Sequence, residues 1–142
     1  MAAKTTSCGV IVTDGKRLLL GHASRSPRWD IPKGGVEPGE TFAAAACREL
    51  QEETGLVVAE KALASLGVKP YLRDKDLALF AWVVAEMPDP SQLVCSAFFT
   101  LPGGGRLPEF DRFGLFTPDE ALTRVGKNLA RLLAEISLSA LT

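Results

Sequence analysis

Residues 34–56 of the chain read GGVEPGETFAAAACRELQEETGL. Positions 41–54 of this stretch carry four consecutive alanines, straight-chain residues and no Gly or Pro, and Gly55 follows as a stop. A helix is therefore predicted over 41–54. Phe42, Ala46 and Leu50 recur at i, i+4 and i+8, with Ala43 and Cys47 beside them, so this stripe is expected to face a core. Glu49, Glu52 and Glu53 stand at i, i+3 and i+4, which gathers their carboxylates on one other face. Ahead of the helix, residues 33–40 read as a glycine-rich loop.

Such a run of glutamates is ordinarily a solvated helix face, and Pro38-Gly39 by itself is an ordinary turn. The combination says more. Three carboxylates on one face repel by about 0.2–0.5 kcal/mol per like-charged i, i+4 pair, a small penalty that a bound cation reverses. Magnesium takes hard oxygen ligands, keeps several waters and accepts substrate phosphates, so a few carboxylates on an open face suit it. Gly34, Gly35 and Gly39 allow main-chain N–H groups to approach phosphate oxygens closely. Lys33, with Arg28 or Arg25, could add positive charge there. Glu40, at the helix entry, is placed to meet the helix dipole or Arg48.

The spacing is specific. Gly34 is followed after five residues by Glu40, after seven more by Arg48-Glu49, and then by Glu52-Glu53 and Gly55. At ~6% usage for each fixed Gly, Glu or Arg, a chance match at one start position is on the order of one in a billion. The pattern resembles the Nudix box, which is complete here, and the resemblance extends more loosely to WDIPK at 29–33 and to the flanking strand-like segments. It implies the α/β class, with a Nudix-type α/β/α sandwich around a mixed β-sheet. It also implies a loop, helix and loop that bind a divalent metal and a diphosphate.

The expected site follows residue by residue. Glu52 and Glu53 are expected as metal ligands, Glu49 as ligand or base, and Arg48 as the group that orients them. Lys33, Gly34, Gly35, Arg28 and Tyr71 are expected to bind substrate. The implied cofactor is Mg2+ or Mn2+, and the implied reaction is attack of a metal-activated water on one phosphorus of a diphosphate. Glu109 or Asp111, in PEFDRF, could supply a further acid from a downstream loop, against the plainer reading of surface charge. Pro32-Lys33-Gly34 and the downstream Tyr71 resemble Nudix hydrolases of dinucleoside polyphosphates, and nucleoside triphosphates are a second option. Pro70 beside Tyr71 points instead to nucleoside-diphosphate sugars. A Nudix-like nucleotide-sensing module is the non-catalytic alternative, but this chain keeps every box carboxylate. Diphosphate isomerisation would need a catalytic Cys and further acids that the sequence does not place.

Outward from the box, 7–13 and 17–21 read as a β-hairpin turning at Asp14-Gly15. Residues 29–31 form a short extended piece. Segments 56–71 and 77–87 are predicted as an antiparallel pair joined by a charged turn at 73–76. Residues 88–90 and 101–108 read as loops, with PGGGR expected to be mobile, and 113–116 as a short strand. Pro118 opens a short helix and 127–141 reads as a longer amphipathic one.

At 142 residues one core suffices, so a single domain over 1–142 is expected. Sixteen Lys and Arg against seventeen Asp and Glu give a net charge of -1, so no stable nucleic-acid binding is expected. No apolar run approaches the roughly 20 residues that span a bilayer, and the opening residues lack a secretory pattern, which predicts a cytoplasmic address. Cys8, Cys47 and Cys95 form no CxxC pair and are read as packing residues. His22 is read as a strand-end residue and Trp82 as core, while Trp29 and Tyr71 flank turns and are open to stacking. The sequence leaves the oligomeric state open.

Overall fold

The computed structural model describes residues 4–142. Strands β1 (Thr5–Thr13), β2 (Leu18–Ala23), β3 (Trp29–Asp30) and β4 (Lys33–Gly35) precede helix α1 (Phe42–Thr54). Strands β5 (Ala64–Leu72), β6 (Lys75–Val83), β7 (Phe98–Thr100), β8 (Arg106–Pro108) and β9 (Phe110–Phe116) follow, and then helices α2 (Pro118–Arg124) and α3 (Lys127–Leu133).

β1 is the axis of a mixed sheet. Along one edge it runs parallel to β6, in register from Thr5↔Lys75 to Thr13↔Val83, and β6 in turn pairs antiparallel with β5. Along its other edge β1 serves two partners: β4 pairs with its first half (Ser7↔Gly35, Gly9↔Lys33) and β2 with its end (Thr13↔Leu18). β2 then pairs with β3 and β9. β7 and β8 form a separate two-stranded ribbon. From Ser7 to Thr13 every residue of β1 is buried, as expected for a strand covered on both faces.

Alternation along β1 divides the interior into two layers. Cys8, Val10 and Val12 pack with Ala45, Ala46 and Leu50 of α1. Ile11 joins Leu18, Leu20, Leu77 and Leu79 beneath Ala121 of α2 and Leu129, Leu132 and Leu133 of α3. Helices thus cover both faces of the sheet, giving the expected α/β/α sandwich. Among the described residues no helix is long and apolar enough to cross a membrane.

The Asp14-Gly15 turn joins β1 and β2 as expected. Gly15 has φ 93°, Asp14 Oδ1 accepts the N–H groups of Lys16 and Arg17 at 3.0 Å each, and Thr13 Oγ1 donates to the Arg17 carbonyl at 2.6 Å. Several expected boundaries shift. Segment 33–40 is not all loop, because Lys33–Gly35 lies against β1 as a strand. The strand expected from 56 begins only at Ala64, since Leu56, Val58 and Leu63 pack onto the α1-side core and a 3-10 turn at Glu60–Ala62 breaks the run. β6 starts at Lys75 and ends at Val83, β9 starts at Phe110, and segment 101–108 contributes β8. The expected long C-terminal helix stops at Leu133, and a 3-10 turn at Leu138–Leu141 follows. Ile136, Ser137 and Ser139 are weaker helix formers than the leucines and alanines before them. Phe42 is 39% exposed, so the apolar stripe of α1 is buried only beyond its first turn.

Gly21 on β2 lets the buried Phe110 ring lie directly on the strand, since a methyl group at this position would fall within the ring. Gly21→Ala is expected to destabilise the fold by about 1–3 kcal/mol through overpacking. Urea unfolding of the variant beside the parent measures this, and equal midpoints would show that the contact does not constrain Phe110.

Candidate active site

The site is built on the last two turns of α1, whose ends are firmly held. Thr41 Oγ1 caps the start by accepting the Ala44 N–H at 3.1 Å. Gly55, at φ 84°, closes the end by donating its N–H to the Gln51 carbonyl at 2.8 Å. Thr54, buried, donates its hydroxyl to the Leu50 carbonyl at 2.6 Å and accepts the Leu56 N–H at 3.0 Å. No basic residue lies in the last turn. Glu52 and Glu53 therefore meet the negative end of the helix dipole, a placement that disfavours carboxylates and favours a cation beside them.

Arg48 ties the acidic residues together. Its Nε and Nη2 donate to the two oxygens of Glu40 at 2.8 and 2.9 Å. Nη1 donates to Glu49 Oε1 at 2.8 Å and lies 3.5 Å from Glu52 Oε2, while Nη2 also donates to the Gly35 carbonyl at 2.9 Å. This planar fork fixes several groups at once in a way an ammonium does not. The guanidinium, with the Glu37 N–H, holds the Glu40 carboxyl down at about 2.

Glu53 is the opposite case. Only 7% of it is exposed, and its Oε1 accepts the Lys33 N–H at 2.8 Å. Burial pushes its carboxyl up to about 8, with the Lys33 N–H opposing and Glu49 adding to the rise. Burial also raises Glu49, against the pull of Arg48. A methyl group on Gly34 would land on the Glu49 carboxyl, which would have to move aside. The Lys33 ammonium lies 3.0 Å from Asp30 Oδ2 and 5.7 Å from the centre of the Tyr71 ring. Burial lowers its pKa, but Asp30 and Tyr71 more than offset this, so Lys33 is held above its usual value and stays charged.

These groups open onto one polar cleft of ≈ 390 Å³. Glu49, Glu52, Glu53, Lys33 and Gly34 line it together, and Arg48 stands behind them. Gly35 is exposed and lies off the cleft, with its carbonyl taken by Arg48. Arg28 rests beside Gly126 at the head of α3, and Tyr71 lies on β5 next to the Lys33 ammonium, so neither lines the cleft. Asp30 and Glu109 do line it. Asp30 was not singled out in the sequence, although its i, i+3 relation to Lys33 was visible there. Asp111 turns away to His22 Nδ1 at 2.8 Å.

The donor set suits a hard divalent cation, with carboxylates and no thiolate or imidazole among the cleft residues. The poorly compensated Glu53 adds to the fit. Among the described residues no three potential ligand side chains already converge on one point. Arg48 donates to Glu49 Oε1 and the Lys33 N–H to Glu53 Oε1, which fixes the orientation of both carboxylates.

The chain is thus an α/β/α sandwich with an acidic cleft at the end of its first helix. Residues 3–136 match the family model of the NUDIX domain, and the chain belongs to the Nudix family as one of its pyrophosphohydrolases. The family generally uses divalent metal ions. A 17.7 kDa protein of Enterobacteria phage T4, uncharacterised by its name, is 36% identical over 141 residues, covering 92% of this chain and 93% of its own. A protein of Bacillus subtilis (strain 168), provisionally named an 8-oxo-dGTP diphosphatase, is 31% identical over 103 residues, 71% of this chain and 67% of that one. The E. coli dihydroneopterin triphosphate pyrophosphohydrolase shares the fold, with a TM-score of 0.68 at 18% identity over 96% of this chain and 99% of that one.

The raised carboxyl of Glu53 sets a pH dependence. In the unfolded chain it ionises near 4.5, whereas the folded, metal-free protein keeps the proton to about 8. The folded state thus binds more protons between these values, and stability falls as pH rises through them. The Tm of chelator-treated protein is expected to drop by at least about 5 °C from about pH 5 to about pH 8, and Glu53→Gln to flatten that slope. Equal slopes in the two proteins, followed by circular dichroism, would remove this account of Glu53.

Proposed function

We propose that this chain acts as a single catalytic domain over residues 1–142. It hydrolyses a phosphoanhydride bond in a nucleoside diphosphate linked to a further group, either a nucleoside triphosphate or a dinucleoside polyphosphate. The cofactor is Mg2+ or Mn2+ and the setting is cytoplasmic. The observation that carries the reading is Glu53, a carboxylate buried at the mouth of a cleft it shares with Glu49 and Glu52, with only one backbone N–H on its Oε1. Such a group is costly to ionise alone and favourable beside a cation.

In this reading Glu52 and Glu53 hold the metal, and Glu49 serves as ligand or as proton acceptor. Arg48 keeps Glu49 and Glu52 facing the cleft and shields their mutual repulsion. Lys33, charged and anchored by Asp30, places a positive charge beside the polyphosphate. A divalent cation held by these carboxylates would supply activation of a water and neutralisation of charge on the phosphate oxygens. The water oxygen forms a bond to phosphorus as the bridging P–O bond breaks, and the lost proton passes to a carboxylate.

The name of the Bacillus relative supports a nucleoside triphosphate, and retention of every box carboxylate supports catalysis over sensing. Pro70 lends the diphosphate-sugar alternative little support, because it lies on β5 with its carbonyl bound by Arg131 at 3.2 Å, away from the cleft.

Incubation with Mg2+ or Mn2+ and a panel of nucleoside triphosphates, dinucleoside polyphosphates and diphosphate sugars, followed by chromatography, is expected to show cleavage of the first two classes. Glu53→Gln should lower kcat at least about 100-fold with the fold intact by circular dichroism. Retention of nucleotides without turnover would favour a sensor, and undiminished turnover in Glu53→Gln would remove it from the metal site.

A further inference from the structure

Phe110 stands at the rim of the carboxylate cleft, where it also borders a second, aromatic cleft of ≈ 660 Å³ that includes Val94, Phe98 and Phe113. It reaches this place through an irregularity in β9. From Phe116 to Arg112 the strand pairs regularly with β2, ending at His22↔Arg112, but the next pair is Ala23↔Phe110. Asp111 is therefore the extra residue of a β-bulge, a device that re-aims the side chains beyond it. Past the bulge, Ala23 and Phe110 both line the carboxylate cleft.

The bulge exchanges the faces of two residues. Side chains on a strand alternate, and Phe113 and Leu115 lie on the α1 side of β9 with Phe116 on the α2/α3 side. Continued alternation would put Asp111 on the α1 side and Phe110 opposite. The observed arrangement is the reverse. The Phe110 ring packs on Gly21 and on the Phe113 ring, 5.8 Å between centroids. Asp111 and Arg112 both turn the other way, Asp111 Oδ1 to His22 Nδ1 at 2.8 Å and the Arg112 guanidinium to 5.3 Å from the centre of the Trp29 ring. A carboxylate only accepts, so His22 Nδ1 is the donor. The His22 ring is seated edge-on against Trp29, 5.2 Å between centroids, and only 12% of its side chain is exposed. Apart from His22, Asp111 meets only the exposed Arg112, at 3.4 Å, among the described residues.

We propose that His22 is a positioning residue for the carboxylate cleft: its Nδ1–H holds Asp111 out in the bulge, so that Phe110, and not a further carboxylate, stands on the α1 side of β9. This rests on the hydrolase reading above for the consequence it has on the reaction. Carboxylates already crowd the cleft, and another on this wall would repel a polyphosphate. Released from His22, β9 can relax to regular pairing, and a strand shifted by one residue exchanges its two faces. His22 therefore acts through Asp111 and Phe110 without touching substrate.

The test compares full-length His22→Phe, which keeps a ring against Trp29 but lacks the donor, with Asp111→Ala and with the double variant. Nuclear Overhauser contacts between the Phe110 ring and Gly21, present in the parent, should be lost in His22→Phe. Calorimetry with inorganic pyrophosphate and Mn2+ then reads anion affinity without turnover. His22→Phe should weaken pyrophosphate binding about tenfold, because the released carboxylate turns toward the anion. Asp111→Ala breaks the same contact but adds no charge, so it should weaken binding no more than about threefold, and the double variant should match it. The KM for a nucleoside triphosphate should follow the same order, with kcat changed less than about threefold. His22→Asn, whose amide can donate in place of Nδ1, should recover most of the parental affinity. If His22→Phe does not fold by circular dichroism, His22→Leu takes its place. A merely structural contact would weaken the two single variants equally. That result, or Phe110–Gly21 contacts that survive in His22→Phe, would overturn the proposal and leave the hydrolase reading standing. Lost contacts and this order of affinities without hydrolysis of any substrate by the parent would uphold the role of His22 and defeat the hydrolase reading.

Discussion

A carboxylate with little access to water dominates this structure. Glu53 sits where a helix ends, at the unfavourable pole of its dipole, with its neighbours Glu49 and Glu52 adding negative charge. A protein tolerates that arrangement only by protonation, by hydrogen bonding or by a cation. One backbone N–H, from Lys33, supplies part of the compensation. The rest of the cleft adds the carboxylates of Glu49, Glu52, Asp30 and Glu109 to its lining.

That requirement reaches back into the sheet. Lys33 can present its N–H to Glu53 because β4 is pinned to β1 at Gly9↔Lys33, and β1 has this edge available because β2 pairs only with its far end. Gly34 then passes so close to the Glu49 carboxyl that a methyl group on it would displace that carboxyl. Arg48 completes the frame from the opposite side, bridging Glu40 on the incoming loop, the Gly35 carbonyl and the carboxylates of the helix. The depressed carboxyl of Glu40 and the raised carboxyl of Glu53 follow from the same geometry. One receives the guanidinium and the other is left largely without compensation.

The same helix end positions the neighbouring aromatic cleft. Backbone groups of Glu52 and Thr54 anchor the strand-like segment that carries Val94, Ser96 and Phe98, so the two clefts share a common support. β2 contributes Gly21, whose missing side chain seats Phe110 at their junction. Backbone anchoring thus fixes both concavities relative to the end of α1.

The sequence by itself determined the features that depend on near neighbours along the chain. These were the helix at 41–54 with its Gly55 stop, the common face of Glu49, Glu52 and Glu53, the Asp14-Gly15 hairpin and the apolar runs that form β1, β2 and β6. Each follows from helical periodicity, from a short apolar run or from the allowed φ of a turn residue. Tertiary structure alone decided what lies far apart in sequence. It buried Glu53 and gave it the Lys33 N–H, brought Asp30 and Glu109 to the cleft, turned Asp111 toward His22, and kept Arg28 and Tyr71 off the cleft wall. It also made a strand of 33–35 and an irregular, packed segment of 56–63, because β1 offered an edge to the first and the α1-side core took the apolar residues of the second. Local pattern specifies which face a residue occupies, whereas burial and partnership depend on the elements that the folded chain places against that face.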